Sequence, residues 1–180
     1  MEFFKMAITL NVSYPPLSKQ TDAYTIKNPQ QVTNAFTITE ASEAADTLKL
    51  GDQEKISQLK EFLKDYDMTS ISTAELKKVG RRLFDDGMIS ERAFGMFISG
   101  DGASDANGRQ TNTHVKFNGI ALFNEQLEDT VAYFKTDPRI SKRDGAMDHL
   151  QSMVEANQAI NALAYFVKST HSNLSVNERA

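Results

Sequence analysis

The strongest local constraint in this chain lies between Ile71 and Ile98, ISTAELKKVGRRLFDDGMISERAFGMFI. Ser72 is a natural N-cap and Glu75 stands three positions later. That is capping-box spacing: the hydroxyl accepts from the N3 amide and the carboxylate accepts from the cap amide. Leu76, Val79 and Leu83 then recur at helical spacing and share one face, which Phe84 widens. Asp85-Asp86-Gly87 ends the helix, and Gly87 suits the left-handed C′ position. Ser90 caps a second helix with Glu91 in its first turn and Phe94, Phe97 and Ile98 on its apolar face. Ile89 and Phe94 have the spacing of a hydrophobic staple. Capping, stop signal and periodicity all specify two short helices joined by a tight turn.

The pattern L-x-x-V-G-x-x-L-F-D-D-G-x-I-S-x-x-x-F is similar to the short helical hairpin of bacterial SHOCT-type modules. The resemblance implies interaction or oligomerisation. It covers only this hairpin of the 180 residues, and it transfers no functional residue.

Around the hairpin the sequence predicts further helices. Thr39 to Leu48 reads as a short helix broken by Gly51. Asp52 caps the next, with Ile56, Leu59, Leu63 and Tyr66 on one face and an end near Asp67. From Gly119, Ile120, Phe123, Leu127, Val131 and Phe134 form a stripe that stops at Asp137-Pro138. From Ser141 to Thr170, Ala146, Leu150, Met153, Asn157, Ile160, Ala164 and Val167 alternate steps of four and three, a heptad seam on the longest helix. That helix is the expected spine. The predicted fold is a mostly α, single-domain bundle of five or six helices with an irregular or weakly β N-terminal arm.

The arm, residues 1–48, is rich in Thr, Ser, Asn and Gln and holds Pro15, Pro16 and Pro29. Residues 7–12 and 32–38 alternate as short strands or extended arms do. The polar stretch 15–31 has little to bury and reads as mobile. Residues 49–172 form the predicted bundle, with a flexible Gly- and Asn-rich loop at 99–116 and a frayed tail at 173–180.

With 40% hydrophobic residues and a net charge of −4, the composition suits a globular chain and argues against an anionic-surface or nucleic-acid binder. The absence of cysteine excludes disulfides and thiol chemistry and fits a cytoplasmic location. No apolar run approaches the ~20 residues that span a bilayer. The N-terminus, with one Lys and no clean apolar core, is a poor secretory signal.

No catalytic, cofactor or metal residue is expected. Asp101, Asp105 and Asn107 fail calcium-loop spacing, because with Gly108 at the sixth position His114 falls where a Glu is needed. His114, His149 and His171 are scattered. Asp85 and Asp86 are adjacent on a helix and do not face each other. No Ser has a nucleophile-elbow context.

The interaction candidates are Lys77, Lys78, Gly80, Arg81, Arg82 and Asn157. The four cations form like-charge i,i+4 pairs. They read as a solvated face offset by Glu75, Asp85 and Asp86, as a face for an acidic protein, or, least, as a face for nucleic acid. Interleaved aromatics for stacking single-stranded nucleic acid are missing. Gly80, in a helix where Gly costs up to about 1 kcal/mol against Ala, invites close approach of another helix, with Gly95 as its counterpart. Asn157 in the seam either fixes register or oligomeric state or stands at the seam's edge.

These features predict a non-enzymatic protein-interaction or regulatory module, with self-association through the C-terminal helix as one route. The alternative, motivated by the polar arm, is an exported bacterial effector or secretion-system-associated protein. A small-molecule ligand is left open.

Overall fold

The computed structural model describes residues 21–137 and 139–177, and side chains as far as Ser169. The fold is mostly helical. The elements are α1 (Ala41–Thr47), α2 (Gln53–Leu63), β1 (Ile71–Ser72), α3 (Thr73–Asp85), α4 (Glu91–Ser99), β2 (Lys116–Phe117), α5 (Gly119–Thr136) and α6 (Ala146–Asn177). Six helices and one two-stranded sheet account for the regular structure of the described residues. None of these helices is long and apolar enough to cross a membrane.

The hairpin forms as its residues dictate. The Ser72 hydroxyl accepts from the Glu75 amide at 3.3 Å, and Glu75 accepts from the Ser72 amide at 2.8 Å, completing the capping box. At the other end Gly87 has φ +71°. Its amide reaches the Phe84 carbonyl at 2.9 Å, and the Met88 amide reaches that of Leu83 at 2.8 Å, a Schellman end. Helix α1 ends in the same way, but with Lys49 in the left-handed position at φ +56°. Ile89 and Phe94, the staple pair, are both buried.

Helix α6 is the spine, packing against α1, α2, α4 and α5. Between Ser152 and Val167 a wide face is buried, with Met153, Ala156, Ala159, Ile160, Ala162, Leu163 and Phe166 all in the interior, and only a narrow stripe that includes Gln158 is exposed. A helix with so wide a buried face packs against several neighbours at once. The heptad seam is therefore covered by helices of the same chain.

Gly80 permits the close approach of α3 and α4. A Cβ there would lie 2.9 Å from Cγ of Phe97 and 3.2 Å from Cδ2 of Phe94, and closer still to the Phe97 Cβ. Gly95 is not its counterpart, since a Cβ on Gly95 would meet nothing within 4 Å. Gly80→Ala gains up to about 1 kcal/mol of helix propensity. It loses more by forcing the two helices apart, so a net destabilisation of about 1–2 kcal/mol is expected in urea unfolding. Gly95→Ala should be neutral or slightly stabilising.

Several boundaries differ from the sequence expectation. Helix α2 ends at Leu63 rather than near Asp67, and α6 starts at Ala146 rather than Ser141. The frayed tail expected from residue 173 falls partly inside α6, which runs to Asn177. The candidate strand at 7–12 lies outside the described residues. Residues 32–38 are not a strand: they turn at 35–36, and Val32 is exposed. The sheet forms instead between Ile71 and Phe117 and between Ser72 and Lys116. Loop 99–116 is tied to the body by the Ala74 amide on the Thr113 carbonyl at 2.9 Å. The Gln110 side chain donates from Nε2 to the Ile98 carbonyl at 2.7 Å.

Candidate functional site

The basic quartet does not converge on one point. Arg81 lies over the Phe94 ring at 4.6 Å and faces Asp85 at 3.7 Å. Arg82 pairs with Asp86 at 2.5 Å and lies over Phe62 at 5.7 Å. Both guanidiniums are thus neutralised by carboxylates one turn on and rest on rings of neighbouring helices. Lys78 is exposed and Lys77 half-exposed. Arg82 also borders an open cleft of about 590 Å³ with Ser57, Gln58, Glu61 and Phe62. A smaller recess of about 150 Å³ adjoins it, lined by Lys49, Lys55 and Asp86 among others. Charges of both signs line the pair of openings, with no polar groups aimed at a common point.

Asn157 is 1% exposed, inside the α5–α6 contact. Its Nδ2 donates to the Phe123 carbonyl at 2.9 Å and to the Met153 carbonyl at 3.0 Å. Asn161, one turn later, makes only the within-helix bond, donating to the Asn157 carbonyl at 2.8 Å. Asn157 therefore fixes the register of α5 on α6 within the chain. It is neither at the seam's edge nor exposed to a second chain.

The most specific polar geometry lies elsewhere, where residues 21–31 cross α5 as an extended strap. Glu125 is only 4% exposed. A buried carboxylate needs donors to offset its lost hydration, and Glu125 finds them in the strap's backbone. The amide of Lys27 donates to its Oε2 at 2.5 Å and the amide of Asn28 to its Oε1 at 2.6 Å. Asn118 complements it. Its Oδ1 caps α5 by accepting from the Ala121 amide at 3.1 Å. Its Nδ2 donates to the carbonyls of Pro29 at 2.9 Å and Gln31 at 2.7 Å. One side chain accepts two successive amides and another donates to two carbonyls. The sequence expectation of a mobile stretch is corrected for 21–31, because a polar segment needs no apolar face when its backbone is gripped by side chains.

Farther up the strap the loop after α4 takes over. Thr21 and Ser104 exchange both backbone hydrogen bonds at 3.1 Å, and the Tyr24 amide donates to the Asp101 carbonyl at 2.8 Å. Asp129 receives the Tyr24 hydroxyl at 2.6 Å and the Lys27 ammonium at 2.5 Å. Tyr24 and Ile26 pack against the core.

These bonds bias the titration of the latch. The Lys27 and Tyr24 hydrogen bonds hold the Asp129 carboxyl below its ordinary value of 3.8. Burial, then the Asp129 bond, pushes the Tyr24 phenol well above 10.0, and the Asp129 bond raises Lys27 above 10.5. A lowered acid stabilises the fold above its ordinary pKa and loses that contribution as pH falls. The raised groups contribute below their ordinary values and lose it as pH rises through the raised ones. Strap closure should therefore be flat between about pH 5 and pH 9 and weaken on either side. Tryptic cleavage after Lys27 across that range checks this; a maximum in closure at either extreme would contradict it.

Sequence reasoning missed Glu125, Asn118 and Asp129. Asn118 had a legible signal, an Asn directly before Gly119, where the helical stripe begins. Glu125 and Asp129 had none, since their partners are nearly a hundred residues away in the chain.

Among the described residues no group of three or more His, Asp or Glu is placed to hold a metal ion. Comparison with known proteins gives no match to any family model, curated protein or solved structure.

Proposed function

We propose that this chain is a non-enzymatic protein-interaction module whose working surface is the groove formed by α5 and residues 101–104. The observation that carries the reading is the paired grip of Glu125 and Asn118 on the strap's amides and carbonyls. Main-chain recognition of an extended segment supplies affinity, and flanking side-chain contacts supply selectivity. Here Asp129 selects for a hydroxyl and an ammonium three residues apart, and the core selects for the aliphatic residue between them. The basic quartet has a lesser part in this reading, since its arginines are engaged within the chain.

The test is binding of a fluorescent peptide spanning 21–31 to the full-length chain. Replacing Tyr24 and Lys27 by Ala weakens the resident strap and should strengthen peptide binding at least tenfold over wild type. Adding Glu125→Ala should return it to the wild-type level or below. Equal binding to all three proteins, or to none of them, overturns the reading.

A further inference from the structure

We propose that the strap exchanges between two copies of this chain, with residues 21–31 of each seated in the α5 groove of the other. The proposal rests on the groove reading above and adds the identity of an occupant. The strap's hydrogen bonds from Thr21 to Gln31, apart from the Gln31–Asn28 turn bond, run to residues 101–104 and to Asn118, Glu125 and Asp129. A second copy offers the same donors and acceptors in the same order. Exchange therefore preserves each of these bonds and alters only the connection between strap and body.

That connection is residues 32–40, and it is built to open. Its hydrogen bonds are local: the Asn34 amide to Thr37 Oγ1, the Phe36 amide to Asn34 Oδ1, and the Thr37 amide to the Asn34 carbonyl. Val32 at its start is exposed, while Ile38 near its end packs on the core beside α1. Unwinding the 34–37 turn loses those three bonds, and water replaces them. Extended, nine residues reach about 30 Å, enough to place the strap on a neighbouring body.

Two further features favour exchange. Pro29 sits at the second position of the Asn28–Gln31 turn, closed by the Gln31 amide on the Asn28 carbonyl at 3.0 Å. Its fixed φ sets the strap's end before docking, which lowers the ordering cost of seating it in trans. The other candidate for self-association, the α6 seam, is filled by the chain's own helices. Exchange of an identical element is a low-cost route to a closed dimer with two-fold symmetry.

The chain has no cysteine, so introduced thiols report without background. Thr21 and Ser104 form a hydrogen-bonded antiparallel pair. Such pairs hold Cα atoms about 5.5 Å apart, within disulfide reach. Thr21→Cys and Ser104→Cys full-length chains of different tag length are mixed, refolded together at high concentration, oxidised and run on a non-reducing gel. The double variant is oxidised alone at low concentration. Exchange predicts a mixed disulfide at least fivefold above either single variant's homodimer, growing with concentration and lost when the Ser104→Cys chain also carries Glu125→Ala. Internal closure of the double variant without any mixed dimer overturns exchange and leaves the groove with its own strap. Failure of both the internal and the mixed disulfide overturns exchange together with the groove reading.

Discussion

Gly100→Ala is expected to destabilise the fold by about 3–5 kcal/mol, the largest effect of any Gly→Ala change in this chain. Two independent costs meet at this residue. Gly100 ends α4 with φ +53° and ψ −128°, a region that L residues rarely adopt. The space is also occupied, because a Cβ would lie 2.7 Å from Cγ2 and 2.9 Å from Cβ of Thr73, with Oγ1 closer still. Thr73 cannot yield, being buried in the first turn of α3 with its hydroxyl directed at Asp101. In a chain of this size the loss corresponds to a fall in Tm of roughly 10–15 °C. Thermal unfolding by circular dichroism measures it. Adding Thr73→Ala should recover only part of the steric share, because its Cβ stays 2.9 Å from the new methyl, and none of the backbone share. A fall of only a degree or two would show that α4 can end in another conformation.

Asn157→Ala is expected to cost about 2–3 kcal/mol, from two lost hydrogen bonds and a small cavity at the α5–α6 contact. Asn157→Leu fills the volume and removes a buried Oδ1 that has no hydrogen-bond partner. It should cost about 1 kcal/mol or less, because the two carbonyls it abandons still accept within their own helices. Neither variant should change the sedimentation coefficient, since the residue lies wholly inside one chain. A change in oligomeric state without a change in stability would reverse the assignment of Asn157 to internal register.

The two predictions differ in how legible their residues were. Asn157 was visible in the sequence as the one polar residue in a heptad seam, but whether that seam faced another chain was not. A seam pattern records that a helix face is buried, not which polypeptide buries it. Gly100 was visible only as a glycine at the start of a polar loop. Its importance comes from Thr73, which β1 and α3 place against it. Gly80 was readable as a close-approach site because a mid-helix glycine is costly without a reason. Its partner was misread: Gly95 looks symmetrical in sequence, yet Phe97 is the residue opposite.

The helical hairpin, the stops and starts of its helices, the mostly helical class and the spine are legible in the linear chain. Those features rest on interactions within about four residues: caps, left-handed turns and apolar periodicity. Tertiary structure decided what the polar residues do. It turned the basic quartet into separate ion pairs and ring contacts, placed Asn157 inside the chain and made an ordered strap of a stretch with no local signal. The physical reason is separation along the chain. Glu125 and Lys27, or Asn118 and Pro29, meet only when the strap lies across α5 in the folded chain. No periodicity encodes an encounter between a helix and a segment so distant from it.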